Sequence, residues 1–184
     1  MKRTALFASV VVIVASAAVA AAQTASPYAG QEQRSIKALS DQEMQDLREG
    51  RGIGLAKAAE LNSYPGPLHV LQLASQLELS DAQRAATEKL YADMRSKAQL
   101  IGRNIIEAER NLDQAFEGGR IDPAILRAQV TAIAALQGEL RAVHLETHLA
   151  QRALLRPEQV SHYDMLRGYG SNRTPHGGQH HGGG

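Results

Sequence analysis

Apolar side chains recur at steps of three and four residues along one long stretch of the chain, which is the spacing of a single helical face. The stripe consists of Leu90, Met94, Ala98, Ile101, Ile105, Ala108, Leu112 and Ala115. Ser80 and Gln83 precede it with the spacing of a capping box, and Gly118 and Gly119 follow it. The pattern therefore predicts one helix over residues 81–117, roughly 55 Å long at about 1.5 Å per residue.

A second stripe with the same period begins after Asp122 and Pro123, which suit the N-cap and the first helical position. Its members are Leu126, Val130, Ile133, Gln137, Leu140 and His144, and the pattern continues to about Ala153. Two such stripes joined by a tight glycine-containing turn are expected to fold back and bury each other. Because no segment has the alternating pattern of a strand, we predict an all-α fold built on a long antiparallel helix hairpin.

The predicted hairpin places Gly102 and Gly138 at the same level of its two helices. A glycine inside a helix costs about 1 kcal/mol relative to alanine, so a facing pair needs a reason. A close approach of the two backbones or a shared bend would supply one. The alternative is coincidence, since isolated glycines are tolerated in helices.

Short helical segments precede the hairpin. Ser40 and Glu43 form a further capping-box pattern, and glycines at positions 50, 52 and 54 break the helix that it starts. A second short helix is predicted over residues 55–61, followed by a Tyr-Pro-Gly-Pro turn. We predict a signal peptide at 1–22, a flexible arm at 23–39, a helical domain at 40–167 and a disordered Gly/His-rich tail at 168–184.

The first 22 residues have the three zones of a secretory signal peptide. Lys2 and Arg3 form a basic start, the run from Leu6 onward is apolar apart from two serines, and alanines crowd its end. The alternative is a retained membrane anchor, but a membrane span needs about 18 or more apolar residues, and this run is short for one. We expect cleavage and export to the periplasm.

Composition excludes several classes of function. The chain has no cysteine, so it has neither disulfides nor thiolate metal ligands. Its 20 Lys and Arg residues nearly balance its 19 Asp and Glu residues, which gives no electrostatic reason to expect nucleic-acid binding. It has no phosphate-binding glycine loop and no nucleophile elbow, and we predict that it is not an enzyme.

Two helix starts share the form Leu-x-x-x-Gln. They are Leu79-Ser80-Asp81-Ala82-Gln83 and Leu155-Arg156-Pro157-Glu158-Gln159. These segments resemble the LTxxQ motifs of the Spy/CpxP family of periplasmic chaperones and stress sensors, with its heavy-metal-resistance relatives, and the resemblance covers residues 68–167. In the first motif Ser80 replaces the usual Thr. In the second, Arg156 cannot cap as a hydroxyl does, so this helix start must rely on Pro157 and Glu158.

The resemblance implies a cradle-shaped homodimer of interlocked hairpins, whose members either hold unfolding proteins or sense metal ions. The sequence itself also favours a dimer, because several apolar side chains lie off the narrow stripes and need burial. They are Leu100, Ile106, Leu136, Leu145 and Leu149. The alternative is that flanking helices of the same chain cover them.

His144 and His148 are four residues apart on one helical face, a spacing that can chelate a metal. They do not form a zincin motif, because that motif needs Glu directly after the first His. Met94, Asp93 and His69 are the nearest candidates for further ligands. The predicted site senses or stores zinc, copper, nickel or cobalt; alternatively, His144 is a hydrogen-bonded interface histidine.

The glycine-rich tail contains His176, His180 and His181. Imidazoles in such a tail can contact divalent metals, although ordering the tail opposes tight binding; the alternative is a solubilising tail. Together these features predict a periplasmic metal-responsive stress or resistance protein that senses or buffers divalent transition metals. The alternatives are an ATP-independent holdase that binds unfolded client proteins and an adaptor of a membrane-bound envelope-stress sensor.

Overall fold

A computed structural model of the chain describes residues 26–169. The predicted signal peptide and the tail histidines His176, His180 and His181 lie outside these residues. The chain divides into two compact units, residues 1–37 and residues 38–184. The described part of the first unit contains one short 3-10 helix, Gln31–Gln33, which begins after Gly30.

The described part of the second unit, residues 38–169, contains six α-helices. They are α1 (Asp41–Glu49), α2 (Lys57–Glu60), α3 (Pro67–Gln72), α4 (Asp81–Glu117), α5 (Pro123–Leu154) and α6 (Pro157–Leu166). Residues 26–169 contain no strand, and the all-α class predicted from the sequence is confirmed. Over the same residues, no helix combines the length and the apolar character that a membrane crossing requires.

Side-chain caps fix where the helices begin. The Ser40 hydroxyl accepts from the Glu43 amide at 3.2 Å, and the Glu43 carboxylate accepts from the Ser40 amide at 2.8 Å. Ser80 and Gln83 repeat this reciprocal capping box at the start of α4. Asp122 Oδ1 accepts two amides of the first turn of α5, each at 2.8 Å. The long helices therefore start at the predicted residues.

The two long helices, α4 and α5, pack against each other. Most of the stripe on α4 is buried, and Ile133, Leu140 and His144 are buried on α5. A polar pair also lies in this interface, where Gln151 Nε2 donates to Thr87 Oγ1 at 3.1 Å, and both side chains are fully buried.

The predicted stripe on α5 is not buried along its whole length. Leu126 and Val130, in its first turns, are 38% and 48% exposed, contrary to the expectation that the two stripes cover each other. The apolar side chains that lie off the two stripes differ in their exposure. Ile106 is buried within the chain, whereas Leu100 and Leu149 are exposed.

Gly102 and Gly138 do not mark a close approach of the α4 and α5 backbones to each other. A methyl group at Gly102 would overlap the Leu47 carbonyl oxygen and lie 2.8 Å from its carbonyl carbon, so the glycine allows α1 to pack directly on α4. A methyl group at Gly138 would have no neighbour within 4 Å. The prediction that a shared approach explains both glycines is wrong, because the close approach is made by α1.

Candidate functional site

A pocket of about 530 Å³ lies beside α5 in the second unit. His144 and His148 contribute one wall, the glycine-rich segment after α1 contributes another, and residues of α2, α3 and α4 complete it. Four of the five residues predicted as metal ligands line this pocket: His69, Met94, His144 and His148. The structure thus brings together residues that lie up to 79 positions apart in the sequence.

Asp93, the fifth residue, is not part of the lining. Its carboxylate accepts from Lys89 Nζ at 2.6 Å, and both side chains are more than half exposed. Met94, the next residue on the helix, is buried and faces the pocket. Neighbouring positions on an α-helix point about 100° apart, so only one of the two can face α5.

His144 is the most deeply buried imidazole of the pocket, at 4% exposure. Its Nε2 atom is buried and has no hydrogen-bond partner within residues 26–169. Burial lowers the pKa of His144, and the neighbouring His148 lowers this pKa further. The ring is therefore neutral at pH 7, which is the form of histidine that binds metal ions.

A hydrogen bond from its Nδ1 atom to the backbone orients the His148 ring. Its Nδ1 lies 2.7 Å from the backbone oxygen of Tyr64. Because a carbonyl oxygen only accepts, Nδ1 carries a proton, and in the neutral ring the lone pair then lies on Nε2. Metal-binding histidines are commonly oriented in this way by a backbone carbonyl. Gly66 packs on the ring, and a methyl group there would lie 2.9 Å from His148 Nε2.

His69 stands at the edge of the pocket, with its Nδ1 2.9 Å from Gln72 Oε1. No group of three or more His, Cys, Asp or Glu side chains within residues 26–169 is arranged to hold a metal ion. His69 and Met94 thus line the same pocket as the two imidazoles on α5, but His69 does not form a three-ligand group with them.

Glu60 is a pocket residue that the sequence analysis missed. Its carboxylate accepts from the hydroxyls of Tyr163 and Tyr169 and from the Gly66 amide, and it lies 3.7 Å from His148 Nδ1. Burial, followed by the hydrogen bond to Glu60, raises the pKa of Tyr163. No sequence motif marks Glu60, because the two tyrosines that donate to its carboxylate lie more than a hundred residues further along the chain.

The two Leu-x-x-x-Gln segments meet in space. Gln83 Nε2 donates to Gln159 Oε1 at 2.8 Å, and Gln159 Nε2 lies 3.1 Å from Gln83 Oε1. Gln83 also donates to the Leu154 carbonyl and Gln159 to the Leu77 carbonyl. Each glutamine therefore caps its own helix and also binds the backbone of another segment.

The remaining motif residues surround this pair. Ser80 caps α4, and Pro157 occupies the first turn of α6. Leu155 belongs to a core cluster with Val70, Leu77, Val160 and Tyr163, and Leu79 packs against that cluster. The motif leucines hence fix α3 and α6 at the ends of the long helices.

Comparison with protein-family models, curated proteins and solved structures gives no significant match to this chain. A function therefore has to be argued from the residues of the chain and their geometry.

Proposed function

We propose that this protein senses or buffers divalent transition metals at the pocket that contains His144 and His148. The observation that carries the proposal is the buried Nε2 of His144, which has no hydrogen-bond partner among residues 26–169. A buried polar atom without a partner is costly, so such an atom in a native structure calls for an explanation. A metal bound by the imidazole would offset that cost.

The chemistry of the pocket supports this proposal. His144 is neutral because of its burial, and the Tyr64 carbonyl fixes His148 with its Nε2 lone pair available. Imidazole suits zinc, copper and nickel, and the Met94 thioether adds a soft ligand of the kind that favours copper(I). Such a site would not need a cysteine, which the chain lacks.

Calorimetric titration with zinc, copper and nickel at pH 7 tests the proposal. The His144→Ala/His148→Ala variant is expected to weaken saturable binding by more than roughly 100-fold, since even losing an outer-shell partner costs 10–100-fold. His162→Ala is the matched control, because His162 is exposed on α6. Unchanged affinity in the double variant would exclude the pocket as a metal site.

Because His144 is buried, folding of each variant needs a separate check. Circular dichroism and thermal unfolding without metal identify a variant that fails to fold. His148→Ala alone is the milder change, since the His148 side chain is 12% exposed and lies at the pocket wall. It should weaken binding while the helical content stays that of the unmodified protein.

The proposal also includes the arrangement of the long helices, the oligomeric state and the cellular location. The packing of α4 on α5 and the Gln83–Gln159 pair support a Spy/CpxP-like antiparallel hairpin. The exposed Leu100 and Leu149 support association into a homodimer. We place the protein in the periplasm on the basis of the signal-peptide pattern alone.

A holdase chaperone is the second candidate, and exposed apolar side chains favour it. One group of them lies where α4 ends and α5 begins: Phe116, Ile125, Leu126 and Val130 are 38–56% exposed. Clustered exposed apolar side chains are typical of surfaces that bind other proteins. An adaptor of a membrane-bound stress sensor would use the same kind of surface.

A light-scattering assay with an aggregating model substrate separates the two functions. Under the chaperone hypothesis, Phe116→Ser/Leu126→Ser/Val130→Ser should abolish most suppression of aggregation, because it removes the apolar contact area. The His144→Ala/His148→Ala variant should suppress aggregation as well as the unmodified protein. No suppression by the unmodified protein would contradict the chaperone hypothesis.

A further inference from the structure

The pocket is much larger than a single metal ion requires. Its volume of about 530 Å³ lies within the range of roughly 300–1,000 Å³ that small-molecule sites occupy. Ile53, Leu68 and Tyr91 line it together with the imidazoles, and apolar walls with a few polar groups are typical of such sites. A bare ion on the two histidines would leave most of this space to solvent.

The protein also supplies too few ligands to complete the coordination of a metal. His144 and His148 provide two nitrogens, and no group of three or more His, Cys, Asp or Glu side chains within residues 26–169 is arranged to hold a metal ion. Zinc usually takes four ligands, and positions that the protein leaves open are filled by water or by another bound molecule. A metal on this pair therefore has positions left for a second molecule.

Three cationic side chains line the same pocket: Arg51, Lys57 and Arg95. Arg51 is already paired, 3.0 Å from Asp46 Oδ1 and 2.6 Å from Glu49 Oε2. Arg95 is exposed and donates from Nε to the Glu49 backbone oxygen at 3.2 Å. Lys57 is exposed and forms no salt bridge within residues 26–169. Two of the three cations thus remain available to a negatively charged ligand.

The carboxylates that line the pocket are engaged by other groups. Glu49 pairs with Arg51, while Glu60 accepts from two tyrosine hydroxyls and the Gly66 amide. Because like charges repel, Lys57 and Arg95 disfavour a bare divalent cation in the pocket. They favour a metal that brings negative charge with it.

We infer that the pocket takes a divalent metal together with a small polycarboxylate chelator, and not the bare ion. The chelator fills the coordination positions that His144 and His148 leave open. One of its carboxylates accepts charge-assisted hydrogen bonds from Lys57 and Arg95. This inference rests on the proposed function, because it names the chemical form of the metal that the same site binds.

Equilibrium dialysis with radiolabelled citrate, with and without zinc, tests the inference on the full chain. Citrate binds zinc through its hydroxyl and carboxylate oxygens and carries further negative charge. We expect the unmodified protein to retain about one citrate per bound zinc, and at least about tenfold less citrate without zinc, because the metal is its principal contact. His144→Ala/His148→Ala should lose the zinc-dependent retention.

Lys57→Gln/Arg95→Gln should change the two measurements in opposite directions. Retention of citrate with zinc should fall by at least about tenfold, since two charge-assisted hydrogen bonds are lost. The affinity for zinc alone, measured by calorimetry, should rise about two- to fivefold, because two repelling charges are removed. Lys57→Gln alone is the milder change and should lower citrate retention by at least about threefold. The matched control is Lys97→Gln/Arg103→Gln, at exposed positions of α4 outside the pocket, and should alter neither measurement.

The possible failures of these experiments are distinguishable. If zinc binds to the unmodified protein while citrate stays in solution, the pocket takes the bare ion; the inference is then wrong and the proposed function stands. Citrate retention that needs no zinc, or that survives Lys57→Gln/Arg95→Gln, also overturns the inference. If His144→Ala/His148→Ala binds zinc like the unmodified protein, both the inference and the proposed function are wrong.

Discussion

Gly102→Ala is expected to lower the free energy of unfolding by about 2 kcal/mol, near the upper end of an overpacking cost less the gain in helix propensity. The added methyl group would overlap the Leu47 carbonyl oxygen, which is backbone and cannot rotate away as a side chain can. Overpacking of this kind typically costs 1–3 kcal/mol and occasionally more, and it exceeds the gain of about 1 kcal/mol from replacing a helical glycine. The helix α1 would have to move off α4.

Gly138→Ala is the matched control, because it makes the same change inside the other long helix. The site has open space around it, so only the propensity gain remains, and stability should rise by about 0.5–1 kcal/mol. Denaturant unfolding at one fixed protein concentration measures both variants, since association would otherwise shift the midpoint. Equal effects of the two substitutions would show that α1 does not pack on Gly102 in solution.

The glycine pair illustrates what the sequence could and could not predict about the fold. The starts of α4 and α5 were predictable because Ser80, Gln83 and Asp122 act on amides two or three residues away. The partner of Gly102 was not, because Leu47 lies 55 positions earlier and no local pattern selects it. Local hydrogen bonds set helix boundaries, whereas packing of one helix on another depends on the whole chain.

In the candidate site, too, some residues were predictable from the sequence and others were not. The helical period alone placed His144 and His148 on one face. The predicted level of the two helices gave Asp93 and Met94 as the nearest further ligands, of which Met94 lines the pocket and Asp93 does not. Glu60, Tyr163 and Tyr169 were missed, because the hydrogen bonds between them join α2 to the C-terminal end of the described chain. Glutamate and tyrosine are also common on solvated helix faces, so their residue types gave no signal.

The role of Gln159 was only half predictable. Its position three residues after Arg156 is that of a capping glutamine, and the Arg156 amide donates to Gln159 Oε1 at 2.9 Å. The expectation that this helix start must rely on Pro157 and Glu158 was therefore incomplete. The contact with Gln83 needs the tertiary fold, since the two glutamines are 76 positions apart. The repeated motif thus encodes two helix starts and the pair of amides that joins them.

Gln159→Ala is expected to lower the free energy of unfolding by about 3 kcal/mol. Gln159 is 4% exposed, and its removal leaves the buried Leu77 carbonyl without this donor. It also takes one contact from the Gln83 amide group, which keeps its bond to the Leu154 carbonyl. Each buried polar group left unsatisfied costs about 1–3 kcal/mol. Gln45→Ala is the control: Gln45 is exposed and makes one hydrogen bond to Glu49 within α1, so its loss should cost less than about 0.5 kcal/mol.

A double-mutant cycle shows whether the two motif glutamines act together. Gln83→Ala alone removes the bond to the Leu154 carbonyl as well as the contact with Gln159. If the amides stabilise each other, Gln83→Ala/Gln159→Ala should cost about 1 kcal/mol less than the two single changes added together, because residues in one hydrogen-bond network are not additive. Strict additivity within about 0.3 kcal/mol would mean that the two amides do not stabilise each other, and the two copies of the motif would then act independently.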